Sequence, residues 1–359
     1  LHGVTNEIPE MLHTAETSFE YTGSAAPRLN KEGTAHFVSH YEPELLAKII
    51  LDLENLSTVD RLNFLNEQTL LAQAGIQTTA ALVPLLLQFK NETNEAVWSI
   101  VAMAVNELKR FVETDDAAEA SLKHYVRELA EPQYTRLGWD SIESEDENDT
   151  KLRSIIVSLS LYGEIEDAVN EAAKRYENTK LEDLDPELRV AILASAVRRQ
   201  PSSELLDTLL EAYQKATNSE LRDDISAALT STKDPAVIER LSALLQDTSF
   251  IRMQDFIHWF VWLLRNRYGR VYMWQWTQNN WTWIRDTFLD DSHYDMLPRY
   301  IASALVTSEQ LNEYRAFFGP LESEIALVRN ITIGYTELEG RVALLERDGP
   351  AVRAALNDF

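Results

Sequence analysis

Apolar residues along most of the chain recur at intervals of three and four. From Asp60 to Gly75, Leu62, Leu65, Leu70, Leu71 and Ala74 follow helical spacing, and Gly75 stands where a helix end favours left-handed backbone. Asp185-Pro186 opens another run, with Leu188, Ile192, Leu193 and Ala196 as its stripe. Pro201-Ser202-Ser203 interrupts, and Leu205, Leu206, Leu209, Leu210 and Tyr213 follow. Asp234-Pro235 repeats the Asp-Pro start ahead of Ile238, Leu241, Leu244 and Leu245. About seventeen such helices are expected from Tyr41 onward, joined by short polar turns. Helix pairs recur roughly every 30–45 residues without a strict repeat, which predicts a mainly α chain with a HEAT- or armadillo-like α-solenoid superhelix. An irregular helical bundle is the alternative.

The first forty residues read differently. Ser18-Phe19-Glu20-Tyr21 alternates, Gly23 to Pro27 forms a loop, and Thr34 to Tyr41 alternates again. These are expected strands. Two or three strands do not make a stable sheet alone, so they either pack on the helices or complete a sheet supplied from elsewhere. The chain opens at Leu1 and its first residues read like the interior of something longer.

Charge narrows the function classes. With 33 Lys plus Arg against 58 Asp plus Glu, the formal charge is −25, a poor match for a nucleic acid backbone. The absence of cysteine excludes disulfides and cysteine-ligated zinc and suits a reducing compartment. The longest apolar run, Phe256 to Leu264, is far short of the roughly 20 residues of a membrane span and contains His258. Asp140 to Asp149 holds Asp140, Glu143, Glu145, Asp146, Glu147 and Asp149 and reads as a solvated loop; it lacks the glycine of a calcium loop.

One segment runs against the overall charge. Arg252 to Arg285 carries five arginines, one acid (Asp255) and six of the eight tryptophans. Phe256 to Leu264 is apolar all round and should be buried among neighbours, with Arg265, Arg267 and Arg270 emerging after it. Two readings stand: a Trp-rich core whose arginines serve carbonyls and carboxylates, or an arginine-lined surface that receives an anionic group such as a peptide carboxylate. Recognisable catalytic machinery is missing. His36 and His40 have the i, i+4 spacing of a zinc helix, but Phe37 replaces the glutamate. On a strand the two rings would stand about 13 Å apart at ~3.3 Å per residue. Neither a phosphate-binding glycine loop nor a nucleophile elbow occurs.

Several stretches together resemble the C-terminal region of the aminopeptidase N family of zinc metallopeptidases, which includes the endoplasmic reticulum aminopeptidases. Arg28-Leu29-Asn30 through Thr34 to Tyr41 is similar to the family's LN-x-x-x-TGYYRVNYD strand pair, with His36, Phe37 and His40 as departures. Ser57, Asp60-Arg61 and Leu71-Ala72-Gln73-Ala74-Gly75 resemble LS-x-x-DR…LA-x-AG. Leu137-Gly138-Trp139 with Leu152-Arg153 resembles LGW…LR. Ile251-Arg252-Met253-Gln254-Asp255, Asn266, Gly269-Arg270, Trp274, Trp276 and Asn280-Trp281 resemble IR-x-QD…N-x-x-GR…W-x-W…NW. The details are closest to bacterial cytoplasmic members.

The resemblance implies residues 1–41 as the last strands of a small β-sandwich domain and residues 42–359 as the helical cap of a larger enzyme. The zinc helix and the exopeptidase loop would lie upstream, so the chain by itself is expected to hold no catalytic residue and no metal. Zinc would sit in the parent's catalytic domain. The implied partners are that domain and peptide substrates, with no nucleic acid or membrane, in the cytoplasm. Arg252, Gln254, Arg265, Arg267 and Arg270 are the candidates for facing peptide. Some relatives contact substrate through an arginine about nine residues beyond the Gln-Asp pair, where this chain has Val261 or Trp262; either that contact is lost or Arg265 replaces it. The rival expectation is a free-standing solenoid scaffold that binds protein partners.

Overall fold

The computed structural model describes residues 15, 16, 18, 26–289 and 293–359. Sixteen α-helices and no strand occur among them, and none of the helices is long and apolar enough to cross a membrane. The chain divides into two compact units, one of residues 1–112, 116–159 and 350–359, the other of residues 113–115 and 160–349.

The first unit contains α1 (Pro43–Leu51), α2 (Thr58–Gln73), α3 (Leu82–Leu86), α4 (Glu95–Val112), α5 (Asp116–Leu137) and the start of α6 (Glu147–Tyr162). Local sequence sets the ends of α2. The Ser57 hydroxyl accepts from the Asp60 amide at 3.2 Å, satisfying one of the orphan N–H groups. At the other end Gly75 adopts φ 74°, which lets its N–H reach Ala72 O and that of Ile76 reach Leu71 O, both at 3.0 Å, the paired bonds of a Schellman close. Phe64, Leu65, Trp98, Val101, Leu108 and Tyr125 form the buried interior of this unit.

Residues 26–41 lie against α2 through buried polar groups. Arg28 and Asp60 form an ion pair in which each side chain is only 2% exposed, and Arg28 Nη1 donates to Asp60 O at 3.0 Å. Asp60 Oδ1 also accepts from the Glu32 amide at 2.8 Å, and Ser39 Oγ donates to Glu67 Oε1 at 3.3 Å. Thr34 to Tyr41, expected as a strand, is irregular. A strand needs a hydrogen-bonded neighbour, and none occurs among the described residues; side chains anchor the segment instead. Phe37, 48% exposed, and Val38 point away from the interior. Of the strand expected at Ser18 to Tyr21, only Ser18 falls within the described residues.

The second unit runs through α7 (Glu166–Asn178), α8 (Pro186–Arg199), α9 (Ser203–Lys215), α10 (Ser219–Leu229), α11 (Pro235–Leu244), α12 (Met253–Arg265), α13 (Arg270–Phe288), α14 (Leu297–Ala304), α15 (Ser308–Phe318) and α16 (Val328–Asn357), whose last residues count with the first unit. The Asp-Pro starts expected for α8 and α11 are present: Asp185 and Asp234 cap the Glu187 and Ala236 amides at 3.0 and 2.9 Å, with proline at the first helical position. Each helix from α7 to α10 touches its successor or the next but one, and α8, α10, α12 and α14 touch in succession, so alternate helices form a row.

Burial pushes the Glu67 carboxyl above its ordinary value of 4.5, against the opposing pull of Ser39 and Arg28. The folded protein therefore holds this proton more tightly than the unfolded chain, and the stability tied to it declines as pH rises above 4.5. Glu67→Gln keeps an acceptor for Ser39 and should raise stability at pH 7. The gain should vanish below about pH 4, where carboxylates are protonated in both states; urea unfolding at the two pH values checks this.

Candidate functional site

Helices α12 and α13 carry the arginine- and tryptophan-rich segment. Phe256 stacks on Phe288 with ring centres 4.4 Å apart and on Phe260 at 5.5 Å, and Trp283 meets Phe256 edge-on. Trp259, Trp274, Trp276 and Trp281 are buried, and the Trp274 indole donates to Glu313 Oε2 at 2.7 Å. Burying each such ring adds roughly 1.5–3 kcal/mol, so most of these tryptophans are accounted for by packing.

The five candidate residues separate into two groups. Arg270 is buried and forks onto both oxygens of Glu113, with Nη2 3.1 Å from Oε2. Arg267 donates to the Glu113 carbonyl at 3.1 Å and to the Tyr268 hydroxyl at 2.5 Å, with its guanidinium 4.6 Å from the Tyr268 ring centre. Arg252 grips Asp255 at 2.7 and 2.9 Å, and Asp255 also accepts from Tyr213. Arg270 is thus interior, Arg267 is half-buried, and Arg252, its side chain 42% exposed, is engaged with Asp255 nearer the surface. Gln254 and Arg265 are exposed, and Arg265 donates to Ser303 Oγ at 3.3 Å.

Helix α12 is less enclosed than its composition suggests. Phe256, Trp259, Phe260, Leu263 and Leu264 face the interior, but His258 is exposed and Trp262 half-buried. The reason is the number of neighbours: α10, α11, α13 and α14 pack on α12 and leave one strip open. The His258 and Trp262 rings stack at 5.4 Å with 26° between planes, and His258 Nδ1 is 3.7 Å from Asp223 Oδ1 on α10. At the start of α12, a cleft lined by Phe256, Phe288, Tyr294 and Leu297 has room for about one water molecule, too little for a substrate. Among the described residues no group of three or more His, Cys, Asp or Glu is arranged to hold a metal ion.

Residues 28–333 match the family model described as the ERAP1-like C-terminal domain. The chain belongs to this family. Aminopeptidase N of Lactococcus lactis subsp. lactis is 31% identical over 362 residues, covering all of this chain and 42% of that protein. Aminopeptidase N of Lactobacillus helveticus is 30% identical over 331 residues, 92% of this chain and 39% of the relative. Aminopeptidase A of Gloydius brevicauda is 25% identical over 297 residues, 81% of this chain and 31% of the relative. The chain thus spans about two fifths of the length of the aminopeptidase N relatives.

In this ERAP1-like domain the motif residues chiefly hold helix ends. Arg61 forks onto Glu92 at 2.5 and 3.1 Å and donates to Leu56 O. Gly138 takes φ 55°, Trp139 donates to Tyr134, and Arg153 binds both oxygens of Glu145 together with Leu137 O. The acidic stretch is therefore more than a solvated loop: Asp146 caps the Asp149 amide, and Asp149 pairs with Arg136 at 2.6 and 2.8 Å. Those guanidinium groups hold the Glu145 and Asp149 carboxyls below their usual range. The Asn266 side chain donates to Thr230 O and Thr232 O at 2.9 and 2.6 Å, satisfying carbonyls at the end of α10. A side chain at Gly269 would come within 2.7 Å of the Leu263 carbonyl oxygen.

Gly269→Ala should therefore cost about 2 kcal/mol, because backbone rather than a flexible side chain must yield. Arg265→Gln should change stability by less than about 0.5 kcal/mol. Urea unfolding of both variants checks the contrast.

Proposed function

We propose that this domain is the non-catalytic C-terminal cap of a zinc aminopeptidase, and that it closes the catalytic chamber and docks the peptides whose N-terminal residues the parent removes. The observation that carries this reading is the ERAP1-like C-terminal match over residues 28–333, in a chain about two fifths as long as the aminopeptidase N relatives. On this reading residues 1–41 complete a small β-sandwich and residues 42–359 form an α-solenoid. The succession of α8, α10, α12 and α14 is what stacked helix pairs would give.

Zinc would be held by residues of the parent's catalytic domain, where it supplies an activated water. The domain's own part is to bind and orient the peptide beyond its first residues and to exclude bulk water on closure. Gln254 and Arg265 are the candidates whose side chains are exposed for this task. A chain of charge −25 without cysteine supports a cytoplasmic setting and peptide rather than nucleic acid partners.

The test is Arg265→Glu in the intact enzyme. Reversing an exposed charge should raise KM for a peptide of about ten residues roughly three- to fivefold while leaving a single-residue chromogenic amide unchanged. Equal effects on both substrates would remove the docking role. Absence of peptidase activity in the intact protein would favour a scaffold that binds protein partners.

A further inference from the structure

Helix α16 changes allegiance before it ends. Up to Gly349 it counts with the second unit, and from Pro350 its residues count with the first. The change falls at the weakest link of the helix. Pro350 lies inside α16 without an N–H to give, so the Glu346 carbonyl loses its intrahelical partner. Gly349, beside it, gives up more backbone freedom in a helix than any other residue type. Such a pair is where a helix bends.

Beyond this point a small set of contacts holds residues 350–359. Val352 and Leu356, four apart, are buried and set one face of the segment inward. Arg353 Nη1 donates to Phe111 O at 3.1 Å, near the end of α4. On α5, Ser121 Oγ donates to Asn357 Oδ1 at 2.8 Å. The Phe359 ring meets Tyr125 edge-on with centres 5.3 Å apart and lies 5.8 Å from the His124 ring. Tyr125 is itself buried and donates to Val83 O at 2.8 Å, so the ring that receives Phe359 is fixed in place. Phe359 stays 43% exposed.

A segment with a bend at one end and so few anchors can separate while the helices beneath it stay folded. We propose that residues 350–359 are a strap that lifts from α4 and α5 as one piece, turning at Gly349-Pro350, with Phe359 on Tyr125 as its clasp. The anchors on α4 and α5 stand 242 and 236 positions before their partners. The first unit is therefore closed by the part of this chain that is made last. The strap goes beyond the cap reading and does not depend on it. An ordinary frayed helix end would behave differently: protection would fall residue by residue toward Phe359, and a change at Phe359 would be felt only by its neighbours.

The experiment is native-state hydrogen exchange of the whole chain, read by mass spectrometry with fragmentation to single residues. Amides of residues 351–358 should exchange at a common level of protection, at least about tenfold faster than those of residues 338–345, with the step at Gly349. Phe359→Ala should speed exchange about fivefold, and at Val352 as much as at Asn357. Arg353→Met, which keeps the stem and removes the donor to Phe111 O, should have a similar effect of about fivefold. Pro350→Ala restores the missing helical hydrogen bond and should slow the segment at least about tenfold. Exchange of residues 270–288 in α13 serves as the reference that each variant remains folded. A smooth gradient of protection toward Phe359, an effect of Phe359→Ala confined to its nearest neighbours, or faster exchange in Pro350→Ala would each overturn the inference.

Discussion

A guanidinium group can meet a carboxylate and a backbone carbonyl at the same time, and much of this domain depends on that capacity. Arg28 serves Asp60 twice, through its carboxylate and its carbonyl. Arg61 serves Glu92 and Leu56 O, Arg153 serves Glu145 and Leu137 O, and Arg189 serves Asp224 and Leu184 O. Further arginines also reach carbonyls: Arg222 reaches Ala216 O, Arg341 reaches Ala302 O and Leu305 O, and Arg353 reaches Phe111 O. A protein of many helices has many carbonyl ends to satisfy, and at the C-terminal ends marked by Leu137, Ala216, Ala302 and Phe111 a planar five-donor cation answers hydrogen bonding and the helix dipole together. Lysine, a point charge on a flexible stem, could not replace the fork.

The same constraint governs what remains for recognition. Acids outnumber bases by 58 to 33, so an arginine near the interior readily finds a carboxylate, and once buried beside one it is costly to separate. Arg270 and Glu113 are each about 10% exposed or less. An incoming anion would have to compete with a partner already held at hydrogen-bond distance. Even the exposed Arg265 on α12 donates to Ser303 Oγ at 3.3 Å.

Legibility in the sequence follows the range of each interaction. Helix starts at Asp185-Pro186 and Asp234-Pro235 and the close at Gly75 depend on residues within one turn, and all were readable. The N-x-x-G-R turn was visible as a motif, but its purpose was not, because Glu113 lies 157 residues before Arg270 and Thr230 lies 36 before Asn266. Alternation at Thr34 to Tyr41 suggested a strand, yet a strand is defined by its neighbour, which local pattern cannot supply. The apolar run of α12 suggested burial on every side. The signal that could have corrected this was the 4, 4, 3 spacing of Gln254, His258, Trp262 and Arg265, three polar residues and one amphipathic ring on a single stripe.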